Sequence, residues 1–474
     1  MTFVDRIRWQ CRLYPDEPAL ALPDSREVVT YGRLDTYLNN ACHFLTAMGI
    51  VPGTVYGLVV KDPLLHVVLS LALEQLGAAT MALPDLNIPH TWTFTAILRD
   101  IDVGDTARRT VAVDRTLLQG DGRPFTSADS RGRSPDDLCR IFLTSGSTGI
   151  PKGVVFTHRA WAARVEHYDY IYGGFPFLKR SMNCIVGTDY RYCVYALSRG
   201  GMYCFPDSSI ESTARKIALY RVQYLSAGAT TLASILAAAH AGRKAFASLE
   251  LIMTAGSHLP RKLYERICET MSHKVINCYG TTETGAIATA WAHMLDLDGG
   301  EAGFVVPGTN VDIVDPETRA PMAGGPGALR IRSSVMASGY FGGDPANAFD
   351  GSAFYTNDLG TVSPDGRVTL HGRSTNVVNL GGDKATIERI ELHYAKAPGI
   401  SDLAAVPVRN ALGITEIVAV VVPNDQWSEH KAWEYVRANL PRNFWPTKFV
   451  VVDDLPRGGN GKVDRARLET LIAD

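Results

Sequence analysis

No stretch of this 474-residue chain is apolar for long enough to cross a bilayer. The longest apolar runs, such as Val55–Val60 and Val67–Ala72, fall far short of the ~20 residues a spanning helix needs. Residues 1–15 carry Asp5, Arg6, Arg8 and Arg12 and hold no apolar signal core. Net charge is nearly absent: 47 lysines and arginines face 49 acids, a formal −2. That balance argues against a nucleic-acid partner and against a protein drawn to an anionic membrane. Cysteine is sparse. The eight residues run from Cys11 to Cys278, form no C-x-x-C pair and leave the rest of the chain without one. Such scatter argues against a disulfide framework or a zinc site, and the expectation is reduced thiols in a cytoplasmic protein. Internal repeats and low-complexity tracts are absent too.

The length is too great for one compact core and suits a large domain with a smaller one. Hydrophobic residues at 46% and charged residues at 20% fit a globular chain. Val55–Val60 reads as a buried strand, and His66–Leu76 as a helix stopped by Gly77. Leu249–Thr254, Pro260–Met271 and Lys274–Asn277 repeat the order strand, helix, strand. The alternation predicts an α/β domain with parallel-rich sheets. Residues 299–330 are rich in glycine and proline, with short alternating strands at Asn310–Val314 and Ala328–Ser333, and predict a small β-subdomain. A last unit opens at Gly372–Arg373. It holds the apolar run Ile417–Val422, a helix over Glu429–Leu440, a strand over Lys448–Val452 and a glycine-rich loop, Arg457–Lys462. The expected division is a large domain over 1–371 and a small α+β domain over 372–474, hinged near 372–376.

The strongest local pattern is Leu143-Thr144-Ser145-Gly146-Ser147-Thr148-Gly149-Ile150-Pro151-Lys152-Gly153. Its glycines let backbone approach an anion closely. Hydroxyls on Thr144, Ser145, Ser147 and Thr148 can donate to phosphate oxygens, consecutive amides can form a nest, and Lys152 adds positive charge. This is not the P-loop G-x-x-x-x-G-K-[ST]: Gly146 to Gly149 is too short a spacing, and Gly153 follows the lysine. The bland alternative is a surface loop rich in small polar residues.

The order of residue types resembles the signature of the adenylate-forming superfamily: acyl-CoA synthetases, aryl-CoA ligases, firefly luciferases and adenylation domains of non-ribosomal peptide synthetases. Further segments resemble that family's motifs in the same order. They are Ala255-Gly256-Ser257-His258, Asn277-Cys278-Tyr279-Gly280-Thr281-Thr282-Glu283-Thr284-Gly285, Tyr355-Thr356-Asn357-Asp358-Leu359-Gly360, Gly372-Arg373 and Pro456-Arg457-Gly458-Gly459-Asn460-Gly461-Lys462-Val463-Asp464-Arg465.

The resemblance implies roles residue by residue. Thr144, Ser145, Gly146, Ser147, Thr148, Gly149 and Lys152 would grip the phosphates of ATP. Gly256 and Ser257 would face adenine. Asn277, Tyr279 and Gly280 would belong to the nucleotide site, with Tyr279 stacking on the base. Thr282 would meet the α-phosphate, and Glu283 would ligate Mg²⁺, which prefers hard oxygen donors. Asp358 would hold the ribose hydroxyls, Arg373 would reach the nucleotide, and Lys462 would enter the site on its loop. For a lone T-E-x-G the bland reading is a turn between strand and helix with Glu283 solvated. The family's small domain is a mobile lid that rotates between two steps, its second face presenting a hairpin that would be Leu380-Gly381-Gly382-Asp383-Lys384.

What the resemblance implies chemically is activation of a small carboxylic acid as an acyl-adenylate, then transfer to the thiol of CoA or of a carrier protein's phosphopantetheine. The catalytic set would be Lys462, Glu283 and Thr282, with no cysteine nucleophile. Transfer to an amine or other nitrogen nucleophile, and luciferase-like oxygenation, are the alternatives. Two places depart from the family pattern or leave it unread. Thr375 stands where the hinge usually carries aspartate or lysine. The acid pocket falls near Gly187-Thr188-Asp189-Tyr190-Arg191-Tyr192-Cys193, where Asp189 could meet an ammonium and Arg191 a second carboxylate, or the two could pair. The tyrosines there lean the reading towards a small aromatic or polar acid.

Overall fold

The structure, a computed structural model, describes residues 2–104, 106–126, 134–144, 152–171, 180–185, 189–238, 242–343, 347–380, 383–410, 415–458 and 463–473. The chain forms two compact units. The first comprises Met1–His293, Val306–Asn310 and Arg332–Phe354; the second comprises Met294–Val305, Val311–Ile331 and Tyr355–Asp474.

In the first unit, the buried strand expected at Val55–Val60 spans Val55–Val59. The helix after it begins three residues earlier than expected, at Pro63, and runs to Gln75. Asp62 accepts from the Leu65 amide and Pro63 takes the first helical position, where a missing N–H costs nothing. Gly77 then adopts φ +79°. The Ala78 amide reaches Leu73 O and the Gly77 amide reaches Glu74 O, which closes the helix as a Schellman turn. This helix is apolar nearly all round, with Leu64, Leu65, Val67, Val68, Leu69 and Leu71 buried, as befits a helix enclosed by core.

Strands Tyr224–Ala227, Leu251–Ala255 and Val275–Thr281 lie side by side and parallel, and Arg180–Asn183, Met202–Cys204 and Pro18–Ala21 continue the sheet in parallel. Antiparallel strands flank this block: Gly285–Trp291 beside Val275–Thr281, and Val28–Thr30 beside Pro18–Ala21. A second sheet runs in the order Gly339–Phe341, Lys152–Thr157, Leu138–Thr144, Ala79–Ala82, Val55–Val59, Ala96–Arg99, Thr110–Ala112. It is parallel from Leu138–Thr144 onward and antiparallel at Lys152–Thr157 and Gly339–Phe341. The parallel-rich α/β expectation holds here.

In the second unit, Arg367–Arg373 pairs antiparallel with Glu301–Val305 and with residues 358–362 of the strand Ala353–Val362. The β-rich stretch is thus strand, as expected. Beyond it, Ile400–Arg409, Thr415–Pro423 and Lys448–Val451 form a three-stranded sheet. The helices Ile387–Tyr394 and Glu429–Asn439 cover one face through Ile390, Tyr394, Ala432 and Val436. Leu455 and Leu468 pack with Ala404 and Val406 in a second cluster. None of the eight cysteines is in a disulfide. Among the described residues no helix is long and apolar enough to cross a membrane.

Candidate active site

The carboxyl ends of parallel strands are where open α/β sheets bind ligands. In the first unit those ends carry Gly228, Gly256 and the turn after Thr281. Gly256 stands at φ +85°, a left-handed conformation that a side chain resists. The neighbouring Ser257 hydroxyl accepts from the Ala229 amide at 3.3 Å, so the loops after two adjacent strands are tied together. Asn277 is buried one strand over, and its carbonyl accepts from Thr289 at 3.1 Å.

The segment around Glu283 is a strand–turn–strand hairpin, where the bland reading had a strand feeding a helix. Val275–Thr281 returns as Gly285–Trp291, with a register shift between Tyr279 and Gly280. Gly280 has no alternative there: a Cβ would lie 2.0 Å from the Gly285 carbonyl oxygen. The turn itself is over-determined. The Thr284 amide donates to Thr281 Oγ1 at 3.1 Å, and the Ala337 amide donates to Glu283 O at 2.7 Å. Arg164, buried beneath it, donates to Val335 O, Thr282 O and Glu283 O at 2.9, 3.0 and 3.1 Å. Burial, and then the charge of Arg191, push the Arg164 guanidinium down to about 9.

The Glu283 carboxylate is held from the side. Tyr340 Oη donates to Glu283 Oε1 at 2.7 Å, and the same ring lies 5.0 Å from Lys152 Nζ. Tyr340 sits on the strand Gly339–Phe341, which pairs with Lys152–Thr157 through Tyr340↔Val154. One aromatic therefore links the lysine expected to meet phosphates with the carboxylate expected to meet Mg²⁺. Thr144 and Lys152 face each other across the last rung of their hairpin, and the Thr144 hydroxyl donates to Lys152 O at 3.3 Å. Ser145, Gly146, Ser147, Thr148 and Gly149 lie outside the described residues. Gly153 is fixed by packing, since a Cβ would come within 3.0 Å of Ile141 Cγ2 and 3.1 Å of Phe341 Cβ.

In the second unit, Asp358 and Arg373 are register partners, and Arg373 Nε donates to Asp358 Oδ1 at 3.1 Å. The side chain of Asp358 is 14% exposed and that of Arg373 45%, so the carboxylate is set in place while the guanidinium reaches outward. At the expected hinge, Gly372 stands at φ +111° and Thr386 donates to His371 O. Thr375 donates to Asn376 Oδ1 at 3.3 Å, and Asn376 donates in turn to Glu388. Arg457 and Val463 bridge as antiparallel partners, while Lys462 and the residues Gly381 and Gly382 lie outside the described set.

Arg164 and Tyr340 escaped the reading of the sequence. Tyr340 stands in Ser338-Gly339-Tyr340-Phe341-Gly342, an aromatic framed by glycines. That pattern marks a constrained strand but not its partner 57 residues away. Arg164 carries no sequence signal at all, for it reads as one polar residue in the helix His158–Glu166.

Residues 7–341 match the model of the AMP-binding enzyme family, and residues 389–462 match that of the AMP-binding enzyme C-terminal domain. The chain belongs to the AMP-binding enzyme family. It is 24% identical to tyrocidine synthase 3 of Brevibacillus parabrevis over 98% of its own length, but spans only 8% of that protein. It is also 24% identical to the 4-chlorobenzoate–CoA ligase of an Arthrobacter species, with 99% of this chain and 95% of that one covered. Its fold matches the crystal structure of the anthranilate CoA ligase AuaEII in complex with anthranoyl-AMP at a TM-score of 0.86 and 18% identity, covering 99% and 97% of the two chains. At such identity the likeness is one of fold.

A single group of three possible metal ligands occurs among the described residues: Glu74, Cys139 and His158, with ligand atoms within 4.8 Å of one another. Glu74 also acts on the buried Arg140, whose positive charge stands against a cation there. Burial pushes the Cys278 thiol up to about 12, which keeps it protonated near neutral pH and unsuited to nucleophilic work.

Proposed function

We propose that this chain uses ATP to activate a carboxylic acid as an acyl-adenylate and then passes the acyl group to the thiol of CoA or of a carrier-protein phosphopantetheine. In the first step a carboxylate oxygen attacks the α-phosphorus, a P–O bond forms, and pyrophosphate leaves. The observation that carries the reading is the Lys152–Tyr340–Glu283 link, which sets a cation and a hard carboxylate on one ring in a chain of this family.

Residues 144–152 would bind the departing phosphates, and Gly256, Ser257, Asn277, Tyr279 and Gly280 the adenine end. Asp358 would accept from both ribose hydroxyls. Glu283 suits Mg²⁺: it is a hard oxygen donor, half-buried, and among the described residues only Tyr340 bonds its carboxylate. A magnesium ion there would supply charge neutralisation at the phosphates. The chain's own parts would be the oriented carboxylate and the rigid turn held by Arg164, with Thr282 and Lys462 acting at the α-phosphate as the resemblance implies. We propose that the small domain spans 372–474 and is hinged near 372–376, where Ser374–Asn376 forms a short turn.

The test is ATP–pyrophosphate exchange across a panel of carboxylic acids, followed by mass spectrometry of products formed with CoA, carrier proteins and amines. Acid-dependent exchange with a thioester product is expected. Exchange that yields only amides moves the acceptor to nitrogen, and no exchange with any acid overturns the reading.

A further inference from the structure

Among the buried cations of the first unit, Arg191 stands apart. Arg8 pairs with Asp35 at 2.8 Å, Lys216 with Asp207 at 2.7 Å, and Arg164 donates to three carbonyls. Arg140 donates to Thr80 at 2.6 Å and feels the charge of Glu74. Arg191 is 7% exposed and its buried Nε has no hydrogen-bond partner; among the described residues no carboxylate pairs with it, the side chain of Asp189, the alternative partner, lying outside them. A cation taken out of water and left unanswered is strongly unfavourable unless something else brings the counter-charge.

Its position says what that something is. Arg191 is the third residue of the helix Asp189–Ser198, whose amino end adds positive potential. Its guanidinium lies over the Phe142 ring, 5.1 Å from the centroid, and Phe142 is two residues before Thr144 on the strand that leads into the phosphate segment. On the other side its charge acts on Arg164, which grips the Thr282–Glu283 turn. The walls nearby are aromatic: Tyr192 stacks on Tyr168 with centroids 5.1 Å apart and on Tyr224 at 6.5 Å. The fixed positive charge therefore lies over the strand that leads into the phosphate segment, close enough to Arg164 for the two charges to interact, with aromatic side chains nearby.

We propose that Arg191 binds a second anionic group of the substrate, so that this chain activates a dicarboxylic acid, one carboxylate reacting and the other held by the guanidinium. The proposal rests on the adenylating reading above. Guanidinium and carboxylate match as a two-pronged pair, which explains arginine here in preference to lysine. The phosphates have their own cation in Lys152 on the neighbouring hairpin.

The experiment is pyrophosphate exchange with matched acids, succinate against butyrate and 4-carboxybenzoate against benzoate, in the full chain and in its Arg191→Met and Arg191→Lys variants. The unchanged chain should favour the diacid of a pair. Arg191→Met should lower the diacid-to-monoacid ratio of kcat/KM by roughly tenfold to a hundredfold, mainly through the KM of the acid, and Arg191→Lys should restore part of it. A chain that favours monoacids, or a ratio unmoved in Arg191→Met, overturns the proposal. A rise in the KM for ATP with the ratio unchanged overturns it too, by making Arg191 a phosphate contact. Absence of exchange with every acid in the unchanged chain is a different result, the failure of the adenylating reading itself.

Discussion

In the proposed function Glu283 would hold a metal, and such a carboxylate must be fixed without being neutralised; Tyr340 bonds it with one neutral hydrogen bond at 2.7 Å. An ammonium in the same place would cancel the charge that the metal needs. Tyr340→Phe removes the hydroxyl and keeps the ring beneath Lys152. A hydrogen bond to a charged group is worth about 1.5–3 kcal/mol. The variant should therefore need about tenfold more Mg²⁺ for half-maximal exchange, with the fold unchanged by circular dichroism. An unaltered Mg²⁺ dependence would show that Tyr340 only packs, through its edge-to-face contact with Phe349 at 5.2 Å.

Elements explain why glycines in these segments are not equivalent. Gly280 sits where the hairpin shifts register, and its absent Cβ is replaced by the Gly285 carbonyl. Gly256 has open space around it and only its positive φ to defend. Gly280→Ala should cost about 1–3 kcal/mol through overpacking, and Gly256→Ala about 1–2 kcal/mol through conformation alone. Urea midpoints rank the two, and equal exchange activity in both variants would deny that the hairpin shapes the site. The helix Pro63–Gln75 carries a different consequence. Burial, then the charge of Arg140 with its Nη2 3.4 Å from Nε2, push the His66 imidazole down to about 3 from 6.5. Its folded-state value is thus depressed. Above pH 6.5 the imidazole is neutral in both states and its contribution is complete. Below that, the unfolded chain takes up a proton which the folded chain refuses, so stability falls as pH drops from 6.5 towards 3. His66→Gln should flatten that slope by up to about 1.4 kcal/mol per pH unit, read from urea midpoints at pH 7, 6 and 5. An identical slope in the variant would assign the loss to other groups.

The same elements show what was legible in the chain. Val55–Val60, Glu429–Leu440 and Lys448–Val452 match observed elements to within a residue, because period and capping are local. The helix start at Pro63 was missed because Leu64 and Leu65 blur into a general apolar run, and the cap at Asp62 was the better guide. The hairpin at Thr282–Thr284 could not be read, since Gly285–Trp291 is equally apolar for either structure and its pairing with Val275–Thr281 decides. Arg164 and Tyr340 act through partners 119 and 57 residues away, which no local pattern encodes.

At the scale of the whole molecule, compactness does not follow chain order. Met294–Val305 and Val311–Ile331 belong with Tyr355–Asp474, because Glu301–Val305 pairs with Arg367–Arg373 across intervening sequence. The two-step reading proposed above is best tested where one residue should matter in one half-reaction only. Lys462 belongs to Gly458-Gly459-Asn460-Gly461-Lys462, between the bridged residues Arg457 and Val463. In the proposed function its ammonium offsets charge at the α-phosphorus while the adenylate forms, and has no such charge to meet when a thiol attacks the finished adenylate. One such contact is typically worth about 2.7–4 kcal/mol, or roughly a hundredfold to a thousandfold in rate. Lys462→Ala should lose that much in adenylate formation from acid and ATP. Given a presynthesised acyl-adenylate, the same variant should transfer the acyl group at a near-normal rate. A solvated lysine would leave both steps untouched. If both steps fell together, Lys462 would be structural or the domain motion itself damaged, and the two-step assignment would fail. Rapid-quench measurement of each step in one variant separates these outcomes, and Arg465 gives the control for structure: it anchors the same segment by donating to Ala405 O and Glu391. Arg465→Met should depress both steps, and only a split confined to Lys462→Ala supports a lysine that serves adenylation alone.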